Sequence, residues 1–138
     1  MAEEKVPLVL RGLHWAVALV FLLNAFVLPH GDGPHRLLGF TGAAMVVVRL
    51  LLILKYRISY FNPRALAVYA LIWLSIIGLG VTGWMTQLDA FWGNSAVKQV
   101  HTIFAWMLIG LVTTHLAGVF FDAFRHRRKT WMRMVSGK

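Results

Sequence analysis

The chain has no cysteine. That excludes disulfides, Cys-ligated iron–sulfur clusters, thiolate zinc sites and thioether-linked haem. Charge is also scarce: 14% of the 138 residues are charged, where an ordinary soluble domain carries about a quarter. Acids are scarcest of all. The five are Glu3, Glu4, Asp32, Asp89 and Asp122, and none lies inside a long apolar run. There is no solenoid-type repeat, no low-complexity tract and no stretch long enough for a separate soluble domain. One domain over residues 1–138 is the expectation.

What the chain has instead is apolar residues, 59% of the total. A soluble protein this small keeps too much of its surface wet to hide them. A lipid bilayer is the better solvent. The formal charge of +9 is large, but the cations form no stripe along a soluble face, so nucleic acid is not the expected partner. They gather between and after the apolar segments, as in a membrane protein. The first apolar run is too long for a signal-peptide core and lacks a small-residue cleavage site.

A membrane span needs about 20 mainly apolar residues. Four runs qualify, approximately 8–28, 35–54, 65–87 and 98–121. They are punctuated by Pro29 with HGDGP, by KYR, and by Asn62-Pro63. Short linkers make neighbours antiparallel, so the expected fold is all-α, a four-helix transmembrane up-down bundle. Lysine and arginine set its direction. One side holds eleven: Lys5, Arg11, Lys55, Arg57, Arg64, Arg125, Arg127, Arg128, Lys129, Arg133 and Lys138. The other holds two, Arg36 and Lys98. Both termini are expected to be cytoplasmic. The basic tail suits anionic headgroups and equally suits a solvated stop-transfer run.

Ionisable side chains inside lipid are costly, and this chain places four histidines and an arginine there. His101 and His115 share the fourth run, fourteen residues apart. Fourteen residues climb about 21 Å and return to within about 40° of one helix face. His14 enters early from the cytoplasmic side, and His35 enters from the outside. Two levels result: His35 with His101 outside, His14 with His115 inside. Arg49 stands fourteen residues after His35, so it shares that face and reaches the inner level. No acid within the spans answers its charge; Asp122 or the carboxylates of a bound cofactor are the candidates.

A histidine in a span is often only a polar link to a neighbouring helix. Four, paired in depth beside a buried cation, fit that description poorly. One four-His metal site fails because the levels lie about 21 Å apart. Two-His zinc or copper sites lack ligands, since structural zinc takes four. A planar macrocycle supplies four nitrogens itself and leaves two axial positions, which a facing pair fills. Two stacked, non-covalent b haems, each with two histidine ligands, are the economical expectation. Gly39, Gly42, Ala43, Ala44, Gly78, Gly80, Gly83 and Gly110 allow close helix approach or room for a flat guest; both remain open. The tryptophans suit interfacial or packing positions.

The motifs RGLHW (11–15), HRLLGF (35–40), VVVRLL (47–52), QVHTIFAW (99–106), THLAGV (114–119) and RMVSGK (133–138), in this order, cover most of the chain. On them the chain resembles the bacterial cytochrome b561 family, relatives of the b-type cytochrome subunits of nickel–iron hydrogenases. The resemblance implies a four-helix bundle in the bacterial inner membrane, holding two b haems on His14, His35, His101 and His115. Departures are the short loops, which put docking through longer ones in doubt, and two extra histidines. His30 is a rival ligand beside His35, and His126 belongs to the solvated tail.

The function so implied is electron carriage across the membrane. Arg11 and Arg49 are expected at inner-haem carboxylates, and Arg36 and Lys98 at outer ones. The latter two equally suit headgroup contacts, or a positive mouth for an anionic reactant. Quinone or quinol, ubiquinone among them, is the expected partner on one side, with a periplasmic cytochrome on the other. Two alternatives stand beside it. One is a superoxide oxidase passing electrons to ubiquinone. The other is the membrane-anchor electron-transfer subunit of a larger dehydrogenase or hydrogenase. No catalytic side chain is assigned.

Overall fold

The computed structural model describes residues 6–56, 65–125, 127 and 131–137. Its helices are α1 (Leu8–Phe26), α2 (Gly33–Lys55), α3 (Leu66–Met85), α4 (Ser95–Arg125) and α5 (Met132–Val135). One turn of 3-10 helix lies at Asp89–Phe91, and no strand occurs among the described residues. The first four helices are long and apolar enough to cross a membrane. The chain is therefore an all-helical, multi-pass membrane protein built as a four-helix bundle. Lys5, Arg57, Arg64, His126, Arg128, Lys129 and Lys138, used above for direction or as solvated tail residues, lie outside the described residues.

Local chemistry sets the helix ends, which differ from the expected bounds by a few residues. α1 stops at Phe26, ahead of Pro29, because the residue before a proline is pushed out of the helical region. α2 starts two residues early, at Gly33, with Pro34 in its first turn, where a missing N–H costs nothing. α4 also starts early. Asn94 Oδ1 accepts the backbone N–H of Ala96 at 2.9 Å and of Val97 at 3.3 Å, a side-chain cap for otherwise orphaned donors. Gly31 (φ +89°) and Gly93 (φ +74°) turn the two connections at one end of the bundle. With 31 residues, α4 spans about 46 Å, well beyond a hydrocarbon core of about 30 Å.

Lipid offers no hydrogen bonds, so hydroxyls in the spans must be satisfied inside the protein. Thr41, Thr102, Thr113 and Thr114 each donate to the carbonyl four residues back on their own helix, at 2.8–2.9 Å. That arrangement frees apolar faces for packing. The backbones approach closely between α3 and α4, α1 and α2, and α2 and α3, while α1 and α4 stay apart along most of their length. Glycines make the close seams. A Cβ on Gly78 would stand 2.7 Å from the Phe104 ring, one on Gly80 2.8 Å from Ala43 Cβ, and one on Gly42 3.0 Å from Val20. At these three, close approach is what the missing side chain provides. A Cβ on Gly110 would meet nothing within 4 Å.

We call the end where α1 begins and α4 finishes the near end, and the other the far end. At the near end Val6, Leu10 and Ile53 form a small buried cluster with Leu52, Trp73 and Met134. Met134 brings α5 back against α1. Two hydrogen bonds hold it there: Arg11 Nη1 donates to Val135 O (2.8 Å) and Trp15 Nε1 to Met134 O (2.9 Å).

Candidate functional site

The gap between α1 and α4 is bridged by imidazoles. His14 on α1 and His115 on α4 bring their ring centres to 6.4 Å at 69° between planes. At the far end His35 on α2 and His101 on α4 stand 6.5 Å apart at 65°. α4 thus contributes one histidine to each pair, and the fourteen-residue interval separates the pairs by about four helical turns. The four rings are half-buried. α1 and α4 are also the thinly covered helices. Only 6% of the most apolar stretch of each is buried, against 22% for α2 and α3.

The separation tests what such a pair accommodates. Two imidazole–metal bonds of about 2.0 Å each, with about 1 Å more from each nitrogen to its ring centre, put facing rings roughly 6 Å apart. Both pairs stand at that spacing. Among the described residues no three His, Cys, Asp or Glu side chains converge on a metal position. A metal between either pair therefore needs its remaining ligands from a non-protein group, and a macrocycle brings four. His35 Nδ1 is buried without a hydrogen-bond partner, a polar atom left over beside the far-end gap. These observations fit a haem in each gap.

The surroundings of the pairs differ. Arg49 is buried, 7% exposed, and lies within electrostatic reach of both His14 and His115. The Tyr69 ring meets His115 edge-on at 5.6 Å, and Trp15 meets His14 at 5.4 Å. Arg11 is on the same turn of α1 as His14, but its Nη1 is engaged by α5, as described above; its Nε is buried without a hydrogen-bond partner. Asp122 lies in reach of Tyr69. At the far end Arg36 and Lys98 are exposed. His30 is exposed too, with its ring 5.4 Å from His35. Asn24 Nδ2 donates to His35 O at 3.1 Å, tying the start of α2 to the end of α1.

Two contacts escaped sequence reasoning. Thr82 on α3 is buried, 6% exposed, and its Oγ1 lies 2.8 Å from His101 Nδ1. The signal in the sequence was slight: Ser75 and Thr82 stand seven residues apart on one face of an apolar helix, and their burial shows only in the structure. The docking of α5 had no such signal. Between α2 and α3 there is also a cavity of about 430 Å³, lined by Phe40, Ala43, Val47, Ile77, Gly80 and Trp84 among others. It holds no ionisable side chain and stands apart from the paired histidines.

A membrane helix bundle that presents two facing imidazole pairs has the architecture of a b-type cytochrome. A model of the prokaryotic cytochrome b561 family matches residues 5–137, and the chain belongs to that family. No curated protein and no solved structure matches it. Membership makes it a membrane b-type cytochrome of electron transfer and implies that it binds haem b.

Proposed function

We propose that the protein is a dihaem b-type cytochrome that carries electrons across the bacterial inner membrane, to or from the quinone pool. Residues 1–138 form one domain. The near end is cytoplasmic, following the eleven-to-two distribution of cations. His14 and His115 hold the inner haem, and His35 and His101 the outer one. Arg49 and Arg11 face the carboxylates of the inner group; Arg36 and Lys98 serve the outer. Haem supplies reversible one-electron chemistry when bound, while the protein contributes ligation, burial and charge. The observation that carries this proposal is the shared spacing of 6.4 and 6.5 Å at two levels of one bundle.

A second reaction class draws on Arg36 and Lys98. They are the two cations of the outer side, and both are exposed beside the far-end pair. A positive mouth concentrates small anions and raises their encounter rate. Superoxide is such an anion: it loses one electron to become dioxygen, and two such electrons with two protons reduce a quinone to quinol.

Purified protein should show a reduced b-type α band with dithionite and two haems per chain. A count of one or none contradicts the dihaem proposal. Mixing reduced protein with a ubiquinone analogue should reoxidise it. Failure of quinone and superoxide alike points to a membrane-anchor subunit that exchanges electrons only within a larger dehydrogenase or hydrogenase.

A further inference from the structure

α3 carries no histidine, yet it reaches one of the pairs. Thr82 Oγ1 is 2.8 Å from His101 Nδ1 and 2.7 Å from Gly78 O. A carbonyl oxygen can only accept. A hydroxyl has one proton and two lone pairs. When that proton goes to Gly78 O, Oγ1 is an acceptor towards the histidine, and Nδ1 must carry the ring proton. The neutral imidazole then has its lone pair on Nε2. The chain Nδ1–H···Oγ1–H···O=C fixes both the tautomer and the orientation of the ring. Fixation of one nitrogen by an outer partner is how histidine ligands are generally aimed.

We propose that Thr82 is the positioning residue of His101, and that it lowers the reduction potential of the outer haem relative to a site without this hydrogen bond. The proposal rests on His101 being a ligand, as proposed above. Donation from Nδ1–H makes the ring a more basic ligand. A more basic ligand favours the oxidised metal. The opposing histidine has no such help, since His35 Nδ1 is buried without a partner. Thr82 is therefore the single hydrogen-bonding handle observed on the ring nitrogens of the far-end pair, among the described residues.

A purely structural threonine would behave otherwise, and α3 contains the comparison. Ser75 is also buried, and its Oγ donates to Leu71 O at 2.7 Å, the same back-bond to its own helix. It stands about 10 Å along the helix from Thr82. Removing Ser75 tests the back-bond; removing Thr82 tests the back-bond and the histidine contact together.

The test is a redox titration of the two-haem protein with Thr82→Val, Thr82→Ser and Ser75→Ala, together with EPR of the oxidised form. Thr82→Val should move one of the two midpoints upward and alter one of the two low-spin signals. The shift should approach a tenfold change in the ratio of oxidised to reduced haem, about 59 mV for one electron. Thr82→Ser should restore both readouts, and Ser75→Ala should move neither midpoint. Loss of one haem in Thr82→Val with its retention in Thr82→Ser also supports positioning. Unchanged potentials and signals in Thr82→Val overturn the proposal, as does loss of a haem in both Thr82 variants. If His101→Ala keeps both haems, the ligand assignment itself has failed. If His101→Ala loses one haem while Thr82→Val changes nothing, only the role of Thr82 has failed.

Discussion

The two histidine pairs have nearly the same spacing and different surroundings. At the near end, His14 and His115 have Arg49, Tyr69 and Trp15 beside them, and α5 is tied to α1 one turn away. At the far end, His35 and His101 have a hydroxyl from α3, an exposed histidine and exposed cations. On the proposed ligation, the equal spacing is what a metal held between two imidazoles demands. On the same reading, the differing surroundings adjust the metal and its access rather than hold it. A buried cation acts through the local field; a hydrogen bond to a ring nitrogen acts through the ligand. On the proposed dihaem reading, the contrast predicts that one bundle holds two chemically equal groups at unequal potentials.

Arg49 offers the largest way to break that contrast. A unit charge within about 8 Å, at an effective dielectric of about 20, contributes about 2 kcal/mol. A nearby cation disfavours the more positive, oxidised haem. Arg49→Met should lower the near-end midpoint, leave the far-end midpoint in place, and narrow or invert the gap between them. Arg49→Lys should recover most of the shift. A redox titration that shows both midpoints moving together would mean that Arg49 acts on the bundle as a whole.

Gly78 gives the next largest effect, and at the other end. It faces Phe104, three residues after His101 on α4. Gly78→Ala must push the ring and with it the α3–α4 seam, at about 1–3 kcal/mol for overpacking. Thermal stability should fall, and haem should be lost first from the far-end pair. Equal loss from both pairs would count against local packing as the cause.

Smaller still is the α5 contact. Trp15→Phe removes the donor to Met134 O, worth about 1 kcal/mol. Limited proteolysis should then cut sooner between α4 and α5, while haem content stays at the wild-type value. The smallest effect is expected at the surface. Arg36→Gln with Lys98→Gln should slow reaction with an anionic reductant and flatten its dependence on ionic strength, without changing either midpoint by much. A stopped-flow salt series reads both.

Much of this organisation was legible in the residues. Four apolar runs of span length name the fold, because lipid admits few other ways to satisfy a backbone. The pairing followed from helical rise and turn, since His101 and His115 share one rigid helix. Arg49 followed from the same interval after His35. What stayed hidden depends on which helix lies next to which. Thr82 reads as an ordinary threonine until α3 is seen against His101. Gly78, Gly80 and Gly42 were ambiguous between packing and spare room until their neighbours were fixed. Arg11 illustrates the limit most clearly. Its Nη1 donates a hydrogen bond to Val135 O, 124 residues away along the chain. No local pattern announces that partner.

The central claim is that the histidines act as two pairs, and haem analysis of four variants tests it most directly. His14→Ala, His35→Ala, His101→Ala and His115→Ala are each purified, counted for haem and titrated. Each should keep one haem. His14→Ala and His115→Ala should leave the same midpoint, and His35→Ala and His101→Ala the other. If His101→Ala and His115→Ala lose the same haem, or any one of the four keeps both, the pairing is wrong.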